Sequence, residues 1–197
     1  MSAAKRFLSS SMYNATEKVL RIVINFAIFI LISNTLSVEK MGEYNFLLTA
    51  FAMLSVFSSF GLTENATKIF IDQANSIKAF QALLAIKLCF SILFAVSGYF
   101  WFFDQNIYFF IGLILSSLSL SLQFLESMAL GKLILKVNSV VLFMASALKI
   151  WACITHQDLV VFCQIFALEI LIQSALLFII SLSVAKPGTS QETMFSV

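Results

Sequence analysis

Charge is scarce in this chain. Asp, Glu, Lys and Arg make up 11% of its 197 residues, less than half the roughly 25% of ordinary soluble domains. That shortage all but excludes a water-soluble globular domain. Proline occurs once and glycine six times, so the chain is neither collagen-like nor a disordered linker. The three cysteines, Cys89, Cys153 and Cys163, are an odd, scattered set in or beside apolar runs. They argue against a disulfide framework, have no metal-ligand spacing and read as small buried hydrophobes. His156 is the single histidine, and 12 basic against 10 acidic residues leave a net charge of +2. So weak a field does not draw nucleic acid. Catalytic signatures are missing too: there is no H-E-x-x-H, Walker A, G-x-G-x-x-G or G-x-S-x-G pattern, and no carboxylate run of the kind that holds Mg²⁺. No enzyme, metal or cofactor is expected.

What is abundant is apolar. Hydrophobic residues make up 60% of the chain, 22 of them Phe, and the mean hydropathy is +0.98. At roughly 20 residues per helical span, the length accommodates about six spans. Six apolar segments can be drawn, at 19–37, 45–62, 79–103, 107–125, 137–155 and 159–184. Each suits a membrane helix rather than the ten-residue alternating strand of a barrel. The expected fold is an all-α integral membrane protein with one six-helix lobe over 19–184.

Lys5 and Arg6 are not followed by the apolar core of a signal peptide, because Ser9, Ser10, Ser11 and Asn14 intervene. Residues 1–18 therefore read as a cytoplasmic amphipathic lead-in, and 185–197 as a polar cytoplasmic tail. Between the spans, charged or polar separators fall at 39–43, 64–78, 104–106, 126–136, 156–158 and 186–188. Nine loop Lys and Arg residues fall on one side of the alternating spans and only Lys40 on the other. By the positive-inside rule, both termini are cytoplasmic.

Polar groups tolerated inside spans are the functional signal in a membrane protein. In the fourth span Gly112, Ser116, Ser119, Gln123 and Glu126 recur at spacings of four, three, four and three, which puts them on one helical face. Small and hydroxyl residues there suit a packing seam, and the same face suits a polar cavity wall. Lys87, Ser91, Ala95 and Gly98 share a face of the third span. Lys87 lies roughly 12 Å inside at 1.5 Å per residue, where snorkelling and cavity lining are both open to it. In the fifth span Ser139, Ser146 and Lys149 lie near one another, with Trp151 placed as an interfacial anchor. Glu169 and Gln173 form an i, i+4 pair near mid-membrane. A carboxyl at that depth must be protonated, paired with Lys149 or Lys87, or open to a water-filled cavity. Glu17 and Arg21 are spaced for an i, i+4 ion pair, and Arg21 precedes Asn25 by one turn.

Three segments carry a resemblance. Leu36–Asn45 reads LSVEKMGEYN, the next span ends in FSSFGL at Phe57–Leu62, and Leu122–Lys132 reads LQFLESMALGK. In order and placement these resemble polysaccharide flippases of the Wzx type, within the multidrug/oligosaccharidyl-lipid/polysaccharide exporter superfamily, over about residues 10–185. That family shows Gly-x-Tyr outside the first span and Gly-Leu at the inner end of the second. Gly42, Tyr44 and Gly61 match, as turn and close-packing positions.

The resemblance implies one lobe of a two-lobe flippase-like transporter in the bacterial inner membrane. Its cargo would be undecaprenyl-diphosphate-linked oligosaccharide units for O-antigen, capsular or exopolysaccharide biosynthesis. Family cavities are often cationic, which makes Arg21, Lys87 and Lys149, with Gln123, the candidate substrate-lining residues. Glu169 is the candidate for cation coupling or charge pairing. A full member has about twelve spans in two six-helix lobes, so this chain would be inactive alone. The second lobe is expected from the same gene, a separate chain or a homodimer, in that order. The alternative is a membrane assembly subunit without transport of its own.

Overall fold

The computed structural model describes residues 3–59, 61–72, 76–101, 107–128, 130–155 and 158–185. Among these there is no strand. The elements are α1 (Ala3–Thr35), α2 (Val38–Ser59), α3 (Leu62–Asp72), α4 (Ser76–Trp101), α5 (Ile107–Leu115), a 3-10 turn (Ser116–Ser119), α6 (Leu120–Ser127), α7 (Gly131–Thr155) and α8 (Leu159–Ala185). Four helical stretches are long and apolar enough to cross a membrane: Ile77–Tyr99, Phe110–Ser127, Gly131–Thr155 and Leu159–Val184. Large apolar side chains such as Phe26, Met53, Leu93, Phe143 and Ile179 point outward, as suits a multi-pass membrane protein. The expected loop 104–106, most of 156–158 and the tail beyond Ala185 lie outside the described residues.

Helix ends differ from apolar-run ends, because charged residues are tolerated in a helix that has left the hydrocarbon. The expected lead-in and first span are one unbroken helix, α1. α2 starts at Val38 and takes in Glu39, Lys40 and Glu43. α7 starts at Gly131 and takes in Lys132 and Lys136. The separator 64–78 holds an unexpected helix, α3. Its Ala66 and Phe70 lie one turn apart and pack with Phe80, Leu83, Leu120 and Phe124, while Lys68 and Asn65 stay exposed. Phe124 meets Phe80 at 4.9 Å and Phe70 at 5.4 Å between ring centroids.

Two of the matched glycines part company. Gly61, between α2 and α3, has φ of 70°, a left-handed conformation that glycine adopts without strain. Gly42 is neither a turn nor a close-packing position. It sits within α2 with open space where a Cβ would stand. The close approach is at Gly98, where a Cβ would come within 3.0 Å of both Leu54 and Phe110.

α1 runs along α7, which packs on α8. α8 packs on α5 and the 3-10 turn, and α4 lies between these and α2. Polar contacts mark the two ends. Lys40 reaches Asp158 at 3.8 Å, and Asn14 donates to Glu126 at 3.2 Å. The first pair lies where the sequence places outer loops and the second where it places inner ones. Near the Lys40 end, Ile28, Ile32, Leu36, Met41 and Tyr44 close over Ala152, Cys153, Phe162 and Ile165. Cys153 and Cys163 are buried as expected. Cys89 is not: it is exposed on α4, because it falls on the face away from Lys87 and Ser91.

Candidate functional site

α8 builds the floor of the site. Glu169, Gln173 and Ser174 fall along one face at near-helical spacing, together with Ile170 and Leu177. Two open clefts flank this face and share Phe51, Ile170 and Gln173. One, of about 320 Å³, lies between α1, α2, α7 and α8 and holds Arg21, Asn25, Lys149 and Glu169. The other, of about 390 Å³, lies between α2, α4, the 3-10 turn, α6 and α8 and holds Lys87, Ser116 and Ser119.

The three expected cations stand in different electrostatic states. Lys149 is 2.6 Å from the Glu169 carboxylate, both side chains about nine-tenths buried. Of the routes open to Glu169, the structure takes pairing. Arg21 meets Glu17 at 2.9 Å, the expected i, i+4 pair, and also donates to Gln173 Oε1 at 3.4 Å. Lys87 is 3% exposed and donates to the Ser119 hydroxyl at 3.1 Å. It has no carboxylate partner among the described residues. Lys87 therefore lines the cleft instead of snorkelling. An ammonium has three N–H donors, and a neutral hydroxyl offsets little of the cost of burying its charge.

The fourth-span face is formed by a helix that changes gauge. Ser116 and Ser117 donate to the carbonyls of Leu113 and Ile114 at 2.6 and 2.7 Å, and Ser121 donates to Leu118. Such back-bonding competes with the i, i+4 ladder and favours a local 3-10 turn. Ser116 and Ser119 reach the cleft. Gln123 does not line it: its Oε1 is buried and without a partner among the described residues, as is Ser91 Oγ on α4.

Asn138 is the residue the sequence reading passed over in favour of Ser139. It is 2% exposed, donates to Glu17 at 3.3 Å and accepts from Gln173 at 3.2 Å. The signal was present: Asn138, Leu142, Ala145 and Lys149 recur at four, three and four, and all are buried. Trp151 stands outward, 52% exposed. Among the described residues no cluster of His, Cys, Asp or Glu suits a metal.

Comparison with known protein families, individual proteins and solved structures finds no match to this chain.

Proposed function

We propose that this chain is one lobe of a membrane transporter whose cargo carries an anionic headgroup. The sequence resemblance points to undecaprenyl-diphosphate-linked oligosaccharide, moved across the bacterial inner membrane for polysaccharide biosynthesis. On this reading α1, α2, α4, α5 to α6, α7 and α8 are the six spans, α3 lies at the inner interface, and both termini are cytoplasmic. A second six-helix lobe completes the path, because alternating access needs two units rocking about a shared site.

The observation that carries the reading is Lys87. A buried cation without a carboxylate, open to a cleft inside an apolar bundle, is costly unless something anionic visits it. Ser119, which accepts from Lys87, keeps its own hydroxyl proton free to donate to such a group. Lys149 and Arg21 are already neutralised, which makes them weaker anion ligands than Lys87. Glu169 serves here as the counter-ion of Lys149, and a coupling role would require that pair to exchange.

The test is complementation. The gene, expressed with its second lobe in a strain lacking its own flippase, should restore surface polysaccharide. Lys87→Arg should retain export, and Lys87→Glu should abolish it with membrane levels unchanged. Full export by Lys87→Glu would overturn the reading. No restoration by the native protein, together with its stable recovery in a complex with another membrane protein, would favour the assembly-subunit alternative.

A further inference from the structure

α1 is attached to the bundle by two different chemistries. Its outer half is held by oil: Ile28, Ile32 and Leu36 are buried in the apolar cluster with α2, α7 and α8. Its inner half is not. Among residues 11–27 Glu17 is the one buried side chain, and Met12, Val19, Ile22, Val23 and Phe26 all point outward.

What holds that half is polar: the Asn14–Glu126 hydrogen bond at its inner end and, next to it, a closed ring of four side chains from three helices. Arg21 donates to Glu17 Oε1 at 2.9 Å and to Gln173 Oε1 at 3.4 Å. Gln173 Nε2 donates to Asn138 at 3.2 Å. Asn138 Nδ2 closes the ring on Glu17 Oε1 at 3.3 Å. Arg21 and Gln173 also line the cleft between α1 and α2, so the ring stands at its rim. α1 touches α2 at few positions, so little else bridges that rim.

We propose that the ring of Glu17, Arg21, Asn138 and Gln173 is a releasable latch, and that the apolar cluster around Ile28 and Ile32 is the hinge about which the inner half of α1 swings. Apolar packing between helices is dense and resists displacement. Interhelical hydrogen bonds in a bilayer are individually weak and exchange partners readily, since other polar groups compete for them. Opening the ring parts the Arg21–Glu17 pair, which travels with α1, from Asn138 and Gln173 and widens the gap between α1 and its neighbours. Closing it returns that pair to Asn138 and Gln173. The latch stands whether or not the cleft carries the cargo proposed above.

The lever is long. From Ile28 to Met12 is about 24 Å of helix at 1.5 Å per residue, so a tilt of about 10° moves the inner end by about 4 Å. Spin labels on the full chain in phospholipid nanodiscs, with Cys89, Cys153 and Cys163 replaced by Ala, read this movement. One pair, at Met12 and Lys78, spans the inner end. A second, at Ser33 and Ile107, spans the outer end. Asn138→Ala should lengthen and broaden the inner distance by about that amount and leave the outer one unchanged. Glu17→Gln, nearly isosteric, should do the same to a smaller extent while keeping the fold. Ser139→Ala, one residue outside the ring, should change neither. An inner distance unaltered in both ring variants would overturn the latch. So would an outer distance that changes as much as the inner, since the helix would then be loosened along its whole length.

Discussion

Lys87 and Lys149 are both buried lysines inside an apolar bundle, yet removing them should have opposite consequences. Lys149→Met strands the Glu169 carboxylate, and breaking a buried pair in this way costs about 3–5 kcal/mol. Lys149→Met combined with Glu169→Leu should recover most of that loss, because well-packed apolar replacements of a buried pair are often neutral. Among the described residues Lys87→Met leaves no buried carboxylate behind, so the protein should be no less stable and somewhat more resistant to denaturation. Unfolding by detergent titration checks all three. A large loss of stability for Lys87→Met would mean that an unrecognised partner neutralises it. A charge that lowers stability at the site it occupies is a physical pointer to function.

At the scale of elements, the bundle is held by features that apolar periodicity does not encode. α3 is docked through Phe70 and Ala66 on Phe124 and Phe80. Phe124→Ala should cost about 3–5 kcal/mol and release α3, seen as faster proteolysis between residues 61 and 72. Gly98 lets α4 approach α2 and α5. Gly98→Val should cost about 1–3 kcal/mol through overpacking, because Leu54 and Phe110 stand 3.0 Å from any Cβ there. Gly42→Ala should be tolerated without loss, since nothing lies within 4 Å. Thermal unfolding of the two glycine variants checks that contrast. The 3-10 turn was not legible as such, although its cause, the hydroxyl run from Ser116 to Ser121, was in plain view. Four hydroxyls in six residues offer the backbone a competing set of partners, and a 3.6-residue reading assumes that the backbone declines them.

At the scale of the whole molecule, the alternation of helices makes a direct prediction about sidedness. Lys40 and Asp158 share one end, and Asn14 and Glu126 the other. Single cysteines at Lys40 and Asp158 should react with an impermeant thiol reagent from one face of the membrane, and cysteines at Met12 and Lys132 from the opposite face. On the orientation proposed above, the Lys40 side is the exterior. Labelling of Lys40 and Met12 positions from the same face would break the six-span reading. The Lys40–Asp158 pair itself is exposed and contributes little stability, so its value is as a marker of geometry.

The sequence by itself determined the class of the protein. In a membrane only helices and closed barrels satisfy their backbone groups internally, and long continuous apolar runs without strand alternation favour helices. The same reasoning singled out polar residues that hydrocarbon should not tolerate; of these, Lys87, Lys149, Glu169 and Arg21 line the clefts and Gln123 does not. Tertiary structure alone decided how they are partnered. Whether Glu169 meets Lys149 or Lys87, and whether Arg21, Glu17, Asn138 and Gln173 close into a ring, depends on helices distant in sequence being brought together. Spacing along one helix specifies a face. It does not specify which other helix that face will meet, because apolar surfaces attract one another without direction. The charge left over once those meetings are settled, on Lys87, is a property of the packed bundle.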